Sequence, residues 1–108
     1  MLNPLSSILI EGRRWFDKVN GNTYHSVRIW VNGEVFGQLG LTYGYGDQYI
    51  VTATNYLVDC GVLHEDTRNW PLGRIRREFG IVIYTTVADG PKRDLFAPTV
   101  INPQLANN

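Results

Sequence analysis

The chain has 108 residues, ten Lys+Arg against ten Asp+Glu, with 44% hydrophobic and 19% charged residues. That is the balance of one folded domain rather than a disordered chain. Cys60 is the only cysteine, which excludes a disulfide framework and a cysteine-built zinc site, and no apolar run reaches the length of a membrane span. The opening MLNPLSSILIEGRR has no basic stretch before a long apolar one. A secretory signal is therefore not expected, and a reduced, cytoplasmic setting is.

In chain order, the first strong signals are two Asn-Gly pairs, Asn20-Gly21 and Asn32-Gly33, each between β-rich runs. A type I′ turn needs positive φ at both central residues and favours this dipeptide. Three strands follow from it, Ile8 to about Phe16, about Tyr24 to Val31, and Val35 to about Tyr43, as an antiparallel meander. Gly44-Tyr45-Gly46-Asp47 then breaks the alternation. From Gln48 to Cys60, the residues Ile50, Ala53, Leu57 and Cys60 recur at helical spacing. Asp47 is the expected N-cap and Gly61 the left-handed residue after the helix.

A shorter helix is predicted from near Pro71, with Leu72, Ile75 and Phe79 as its buried stripe and Gly80 as its end. Ile81 to Val87 is β-branched and predicts a fourth strand. The expected fold is thus α+β in the order β-β-β-α-α-β, with both helices on one face of the sheet. Residues 1–90 form the single domain. Residues 91–108, with Pro91, Pro98 and Pro103, are expected to be an extended arm ordered only when a partner holds it.

Charge is unevenly distributed. No Lys or Arg lies between Arg28 and Arg68, whereas Arg68, Arg74, Arg76, Arg77, Lys92 and Arg93 crowd the later segment. Arg74, Arg76 and Arg77 are expected to form an exposed basic patch on the second helix, either a plain solvated face or a site for phosphates or an acidic partner.

Strand alternation puts Arg13, Trp15, Tyr24, Arg28 and Trp30 on the sheet face away from the helices. A two-residue loop at Asn20-Gly21 would set Arg13 opposite Arg28, Trp15 opposite Ser26 and Glu11 opposite Trp30. Two arginines directly opposed repel each other, so an anionic or planar ligand is one reading of this face. The other is that aromatic rings cover the arginine stems and close the surface with no ligand.

The catalytic search yields little. Cys60 ends an apolar stripe and reads as a buried small residue. Gly44-x-Gly46 lacks the rest of a phosphate-loop fingerprint. His25 and His64 are the only histidines, and their placement offers no metal-binding pattern. His25, Asp47 and Gln48 could converge at one end of the sheet, where a general-base histidine with Arg13 or Arg14 would make a minimal phosphodiesterase. No motif calls for a cofactor.

Gly12-Arg13-Arg14-Trp15-Phe16, Gly21-Asn22-Thr23-Tyr24-His25-Ser26 and Tyr43-Gly44-Tyr45-Gly46-Asp47-Gln48-Tyr49 together resemble a group of small, uncharacterised proteins encoded by phages and prophages, over about residues 8–90. The resemblance implies an accessory protein acting in the bacterial cytoplasm during infection, and it assigns no catalytic role. Small size and Arg-plus-aromatic surface candidates then suggest a protein that binds a host protein or nucleoprotein complex, as an inhibitor of host defence. A single-stranded nucleic-acid or nucleotide binder, stacking bases on Trp15, Tyr24 and Trp30, is the alternative. Neutral net charge weighs against it.

Overall fold

A computed structural model describes residues 4–99. Three antiparallel strands come first, β1 (Ser7–Asp17), β2 (Asn22–Val31) and β3 (Glu34–Tyr43), followed by helix α1 (Gln48–Asp59). A 3-10 turn at Glu65–Thr67, helix α2 (Leu72–Phe79), strand β4 (Val82–Asp89) and a second 3-10 turn at Lys92–Asp94 complete the order. The α+β class is as expected. The sheet runs β3-β2-β1-β4 with β4 parallel to β1, so it is mixed rather than purely antiparallel. The chain leaves β3 at one edge and re-enters at the other. A parallel return of that kind needs a long crossover, and α1 provides it by crossing the sheet over β2 and β1.

The two Asn-Gly pairs behave differently. Asn32 and Gly33 both have positive φ (52° and 83°), and Val31 pairs with Glu34, a two-residue turn as predicted. At the first hairpin the pairing closes at Asp17 and Asn22, leaving a four-residue loop. Only Gly21 is left-handed there (φ 71°), and its N–H donates to Asp17 O at 2.8 Å. The Asp17 carboxylate organises this loop: it accepts from the Asn20 side chain (2.8 Å) and from the Val19 N–H (3.0 Å). These bonds, the side chain of Asn20 first among them, hold its pKa below the usual value. An aspartate before the turn competes with the two-residue geometry by offering its own acceptors.

The core lies between α1 and the sheet, where Ile8, Ile10, Val27 and Ile29 meet Ala53 and Leu57. Two glycines let the helix settle. A Cβ at Gly12 would stand 2.5 Å from the Tyr49 ring, and one at Gly37 would stand 3.1 Å from the Tyr56 hydroxyl. Each strand thus gives up a side chain to receive a tyrosine from α1. The helix ends in a Schellman motif, with Gly61 at φ 80° and Val62 N–H donating to Leu57 O at 2.9 Å. Asp47 precedes α1, but its side chain makes no cap hydrogen bond.

Helix α2 departs from expectation. It meets the sheet chiefly along β4, and Ile75 alone is buried, with Leu72 half-buried. Phe79, predicted for the buried stripe, is 45% exposed and stacks on Trp70 with ring centroids 6.4 Å apart. An eight-residue helix touching an edge strand has only one turn's width of core to fill.

The arm from Gly90 to Thr99 is seated on the sheet by contacts within the chain. Phe96 is buried to 9% exposure, its N–H donates to Ser26 Oγ at 2.8 Å, and Thr99 forms a reciprocal backbone bridge with Gln38 (2.8 and 3.0 Å). The arm therefore crosses the outer face from β4 to β3. The expectation that a partner is needed to hold it fails for these residues, and 100–108 lie outside the described part.

Candidate functional site: the outer sheet face and its aromatic end

Arg13, Trp15, Tyr24, Arg28 and Trp30 do share the outer face, but their pairing is not the one a two-residue loop implies. The longer loop displaces the register by two, so Arg13 faces Ser26, Trp15 faces Tyr24, Glu11 faces Arg28 and Trp30 faces Leu9. A displacement by an even number preserves the faces and changes every neighbour. The Arg13–Arg28 opposition is thus corrected to an acid–base pair of positions at Glu11 and Arg28.

The centre of this face is already occupied. Phe96 lies under both guanidinium groups, 4.8 Å from Arg13 Cζ and 4.5 Å from Arg28 Cζ to the ring centroid. Arg28 Nε donates to Gln38 Oε1 at 2.5 Å, and Gln38 Nε2 donates to Ala97 O at 2.9 Å. Arg13 Nη1 reaches Asp94 O at 3.4 Å, and the Trp30 indole N–H donates to the Glu11 carboxylate. An aromatic ring of the same chain therefore does what the ligand-free reading required. Ser26, which looks like an exposed hydroxyl in the strand pattern, is fully buried as an acceptor for the arm.

Toward the β1–β2 hairpin the face stays open. Trp15 and Tyr24 stack at 5.6 Å and 24°, Tyr24 meets Tyr43 edge-on at 5.8 Å, and Lys92 Nζ sits 5.4 Å from the Trp15 ring. On the helix side of this end, Phe16, Val19 and Tyr45 line an open cleft of ≈ 840 Å³. Tyr45 is 74% exposed, and Phe16, Val19 and Tyr43 are also among the exposed large apolar residues. Arg14 forms one wall of the cleft, donating to Asp89 (2.6 Å) and to Gly46 O (2.9 Å). Its charge is answered within the chain.

Sequence reasoning passed over Phe16, Tyr43 and Tyr45. The signal for the two tyrosines was Tyr43-Gly44-Tyr45-Gly46, each ring followed by a glycine that supplies no cover; Gly44 and Gly46 have φ of 151° and 60°.

His25 is fully buried beneath that loop. Its Nδ1–H donates to Gly44 O at 3.0 Å, and Nε2 accepts from the Thr52 hydroxyl at 2.8 Å. Burial pushes its pKa down, against a smaller opposing effect of the Gly44 carbonyl. Gln48 flanks the same glycine: a Cβ on Gly44 would stand 2.4 Å from Gln48 Cγ and 3.0 Å from His25 Cε1. His25 and Gln48 thus both pack against Gly44. Asp47 and Gln48 are exposed, whereas both ring nitrogens of His25 are engaged and hold α1 to the 44–47 loop.

Arg74, Arg76 and Arg77 are exposed, as predicted, but do not act alike. Arg74 lies over the Trp70 ring at 3.7 Å, and Arg76 donates through Nε and Nη2 to Ile83 O (3.1 and 2.7 Å). Among the described residues there is no cluster of three His, Cys, Asp or Glu able to hold a metal, and no helix long and apolar enough to cross a membrane. No family model, curated protein or solved structure matches this chain.

Proposed function

We propose that this chain is a small accessory binding protein that docks a host protein or nucleoprotein complex through its aromatic end, acting as an inhibitor of a defence machine in the bacterial cytoplasm. The exposed ring cluster supports this reading: Tyr43, Tyr45 and Phe16 are left in solvent at one end of the sheet, with Phe16 and Tyr45 lining a cleft. Exposed aromatics gathered at a rigid sheet end are the residue class that dominates interface energies. The site residues of this reading are Trp15, Tyr24, Tyr43, Tyr45 and Phe16. Arg13 and Arg28 serve it from behind by fixing the arm, and Arg74, Arg76 and Arg77 stand apart on α2.

The nucleic-acid reading keeps the Trp15–Tyr24 stack, with Lys92 beside it. It loses its phosphate ligands, because Arg13 and Arg28 sit over Phe96 and Arg14 is bound to Asp89. The phosphodiesterase reading asks His25 to give up two hydrogen bonds inside the fold.

The test is a pulldown from bacterial host lysate, with and without nuclease, using the wild-type chain and a Phe16→Ala/Tyr45→Ala variant of matched thermal midpoint. A protein retained after nuclease and lost with the variant is the expected result. Recovery lost with nuclease assigns the surface to nucleic acid. Equal capture by wild type and variant removes the aromatic end from the functional account.

A further inference from the structure

We infer that the centre of the outer face is a groove for an extended Phe-x-Pro segment of a partner protein, and that the chain's own arm fills it as a displaceable stand-in. The arm shows what the groove reads. Arg13 Nη1 donates to Asp94 O (3.4 Å), Ser26 Oγ accepts from the Phe96 N–H (2.8 Å), and Gln38 Nε2 donates to Ala97 O (2.9 Å). The Gln38 backbone then takes both the N–H and the carbonyl of Thr99 (3.0 and 2.8 Å). Backbone bonds of this kind suit any extended segment, and pockets for alternate side chains select among sequences.

Two side chains of the arm, two positions apart, meet such pockets. The Phe96 ring lies against the guanidinium groups of Arg13 and Arg28. Pro98 lies against Gly40, where a Cβ would stand 2.8 Å from Pro98 Cδ. Ala97 between them and Thr99 after them are exposed. The contacts therefore specify phenylalanine, any residue, then proline.

The arm is held in a way that lets it leave. Among residues 91–99 only Phe96 is buried, with Leu95 half-buried. The groups that hold it are two guanidiniums, an amide and a hydroxyl, all of which water satisfies once the arm lifts. The helix side of the same strands is the contrast: Ile8, Ile10, Val27 and Ile29 there form a permanent apolar core. Lifting the arm from Pro91 onward leaves all four strands paired, because β4 closes before it with the Gly90 N–H on Arg14 O. Engagement of Arg13, Arg28 and Gln38 within the chain is thus the same engagement a competing segment would take over.

The probe is a blocked synthetic peptide, Ser-Ser-Phe-Ser-Pro-Ser, with Ser-Ser-Ala-Ser-Pro-Ser as its control. In the wild type it competes with a tethered arm, whose effective concentration is on the order of millimolar; the full-length Phe96→Ala chain, which lacks the competing ring, should bind it about tenfold tighter or more. Adding Arg28→Ala to that variant should abolish binding, and the control peptide should not bind. In the wild type, saturating probe should speed trypsin cleavage after Lys92 and Arg93 several-fold. This cleavage readout needs no variant and decides the matter if Phe96→Ala does not fold. A cooperatively folded Phe96→Ala chain that ignores the probe, or binds the control equally well, overturns the inference, as does a wild-type cleavage rate that excess probe leaves unchanged. A wild-type dimer that the probe dissociates also overturns it, giving the groove to the arm of a second copy. The probe reaches this groove whether or not Phe16 and Tyr45 dock a host protein, so the two readings fail separately.

Discussion

Gly12 illustrates how much one missing side chain decides. Its absent Cβ is the space occupied by the Tyr49 ring, which is itself buried. Gly12→Ala should destabilise the fold by about 1–3 kcal/mol, the usual range for overpacking, read as a lower denaturation midpoint with an unchanged slope. His25 gives a second prediction at this scale. In the folded chain it is neutral and its pKa is depressed by burial, while the unfolded chain takes up a proton near the ordinary 6.5. Its contribution is therefore intact above that value and is lost as the pH falls from there toward the depressed folded value. The slope reaches at most about 1.4 kcal/mol per pH unit. Denaturation curves of the wild type and His25→Gln, compared between about pH 5 and 8, should show the steeper acid loss in the wild type alone.

Among the elements, the arm and the two helices behave as distinct units. Phe96→Ala should free the arm from Arg13 and Arg28, and trypsin should then cut after Lys92 and Arg93 faster than in the wild type. The global cost should fall below the about 3–5 kcal/mol of a central phenylalanine, since Phe96 seats a segment rather than the core. On α2, Arg77→Glu should leave stability within about 0.5 kcal/mol, and Arg74→Ala should lose about 0.5–1 kcal/mol of stacking on Trp70. Equal losses at both positions would show that Trp70 gains nothing from its arginine. All four strands, both helices and the Asn32-Gly33 turn were legible in the sequence, because local periodicity and turn chemistry specify them. The first hairpin register was not, since the Asp17 carboxylate overrides the Asn20-Gly21 preference. Nor was the arm, whose place depends on Phe96 finding two arginines, Arg28 and Arg13, far earlier in the chain. Alternation correctly grouped the outer-face residues, yet it could not say that the chain's own C-terminal segment covers their centre.

At the level of the whole molecule, the sheet has one side closed by α1, the other crossed by the arm, and an aromatic end left free. The bridge between Thr99 and Gln38 has a further consequence for assembly. A sheet with two open edges can pair edge to edge from copy to copy without end. By bridging Thr99 to Gln38, the arm obstructs the middle of the β3 edge. It thereby acts as a chain terminator for sheet growth, separating a finite particle from a fibre. Truncation after Asp94 should consequently yield larger species than the full chain does, in proportion to concentration, from a domain whose strands are all still present.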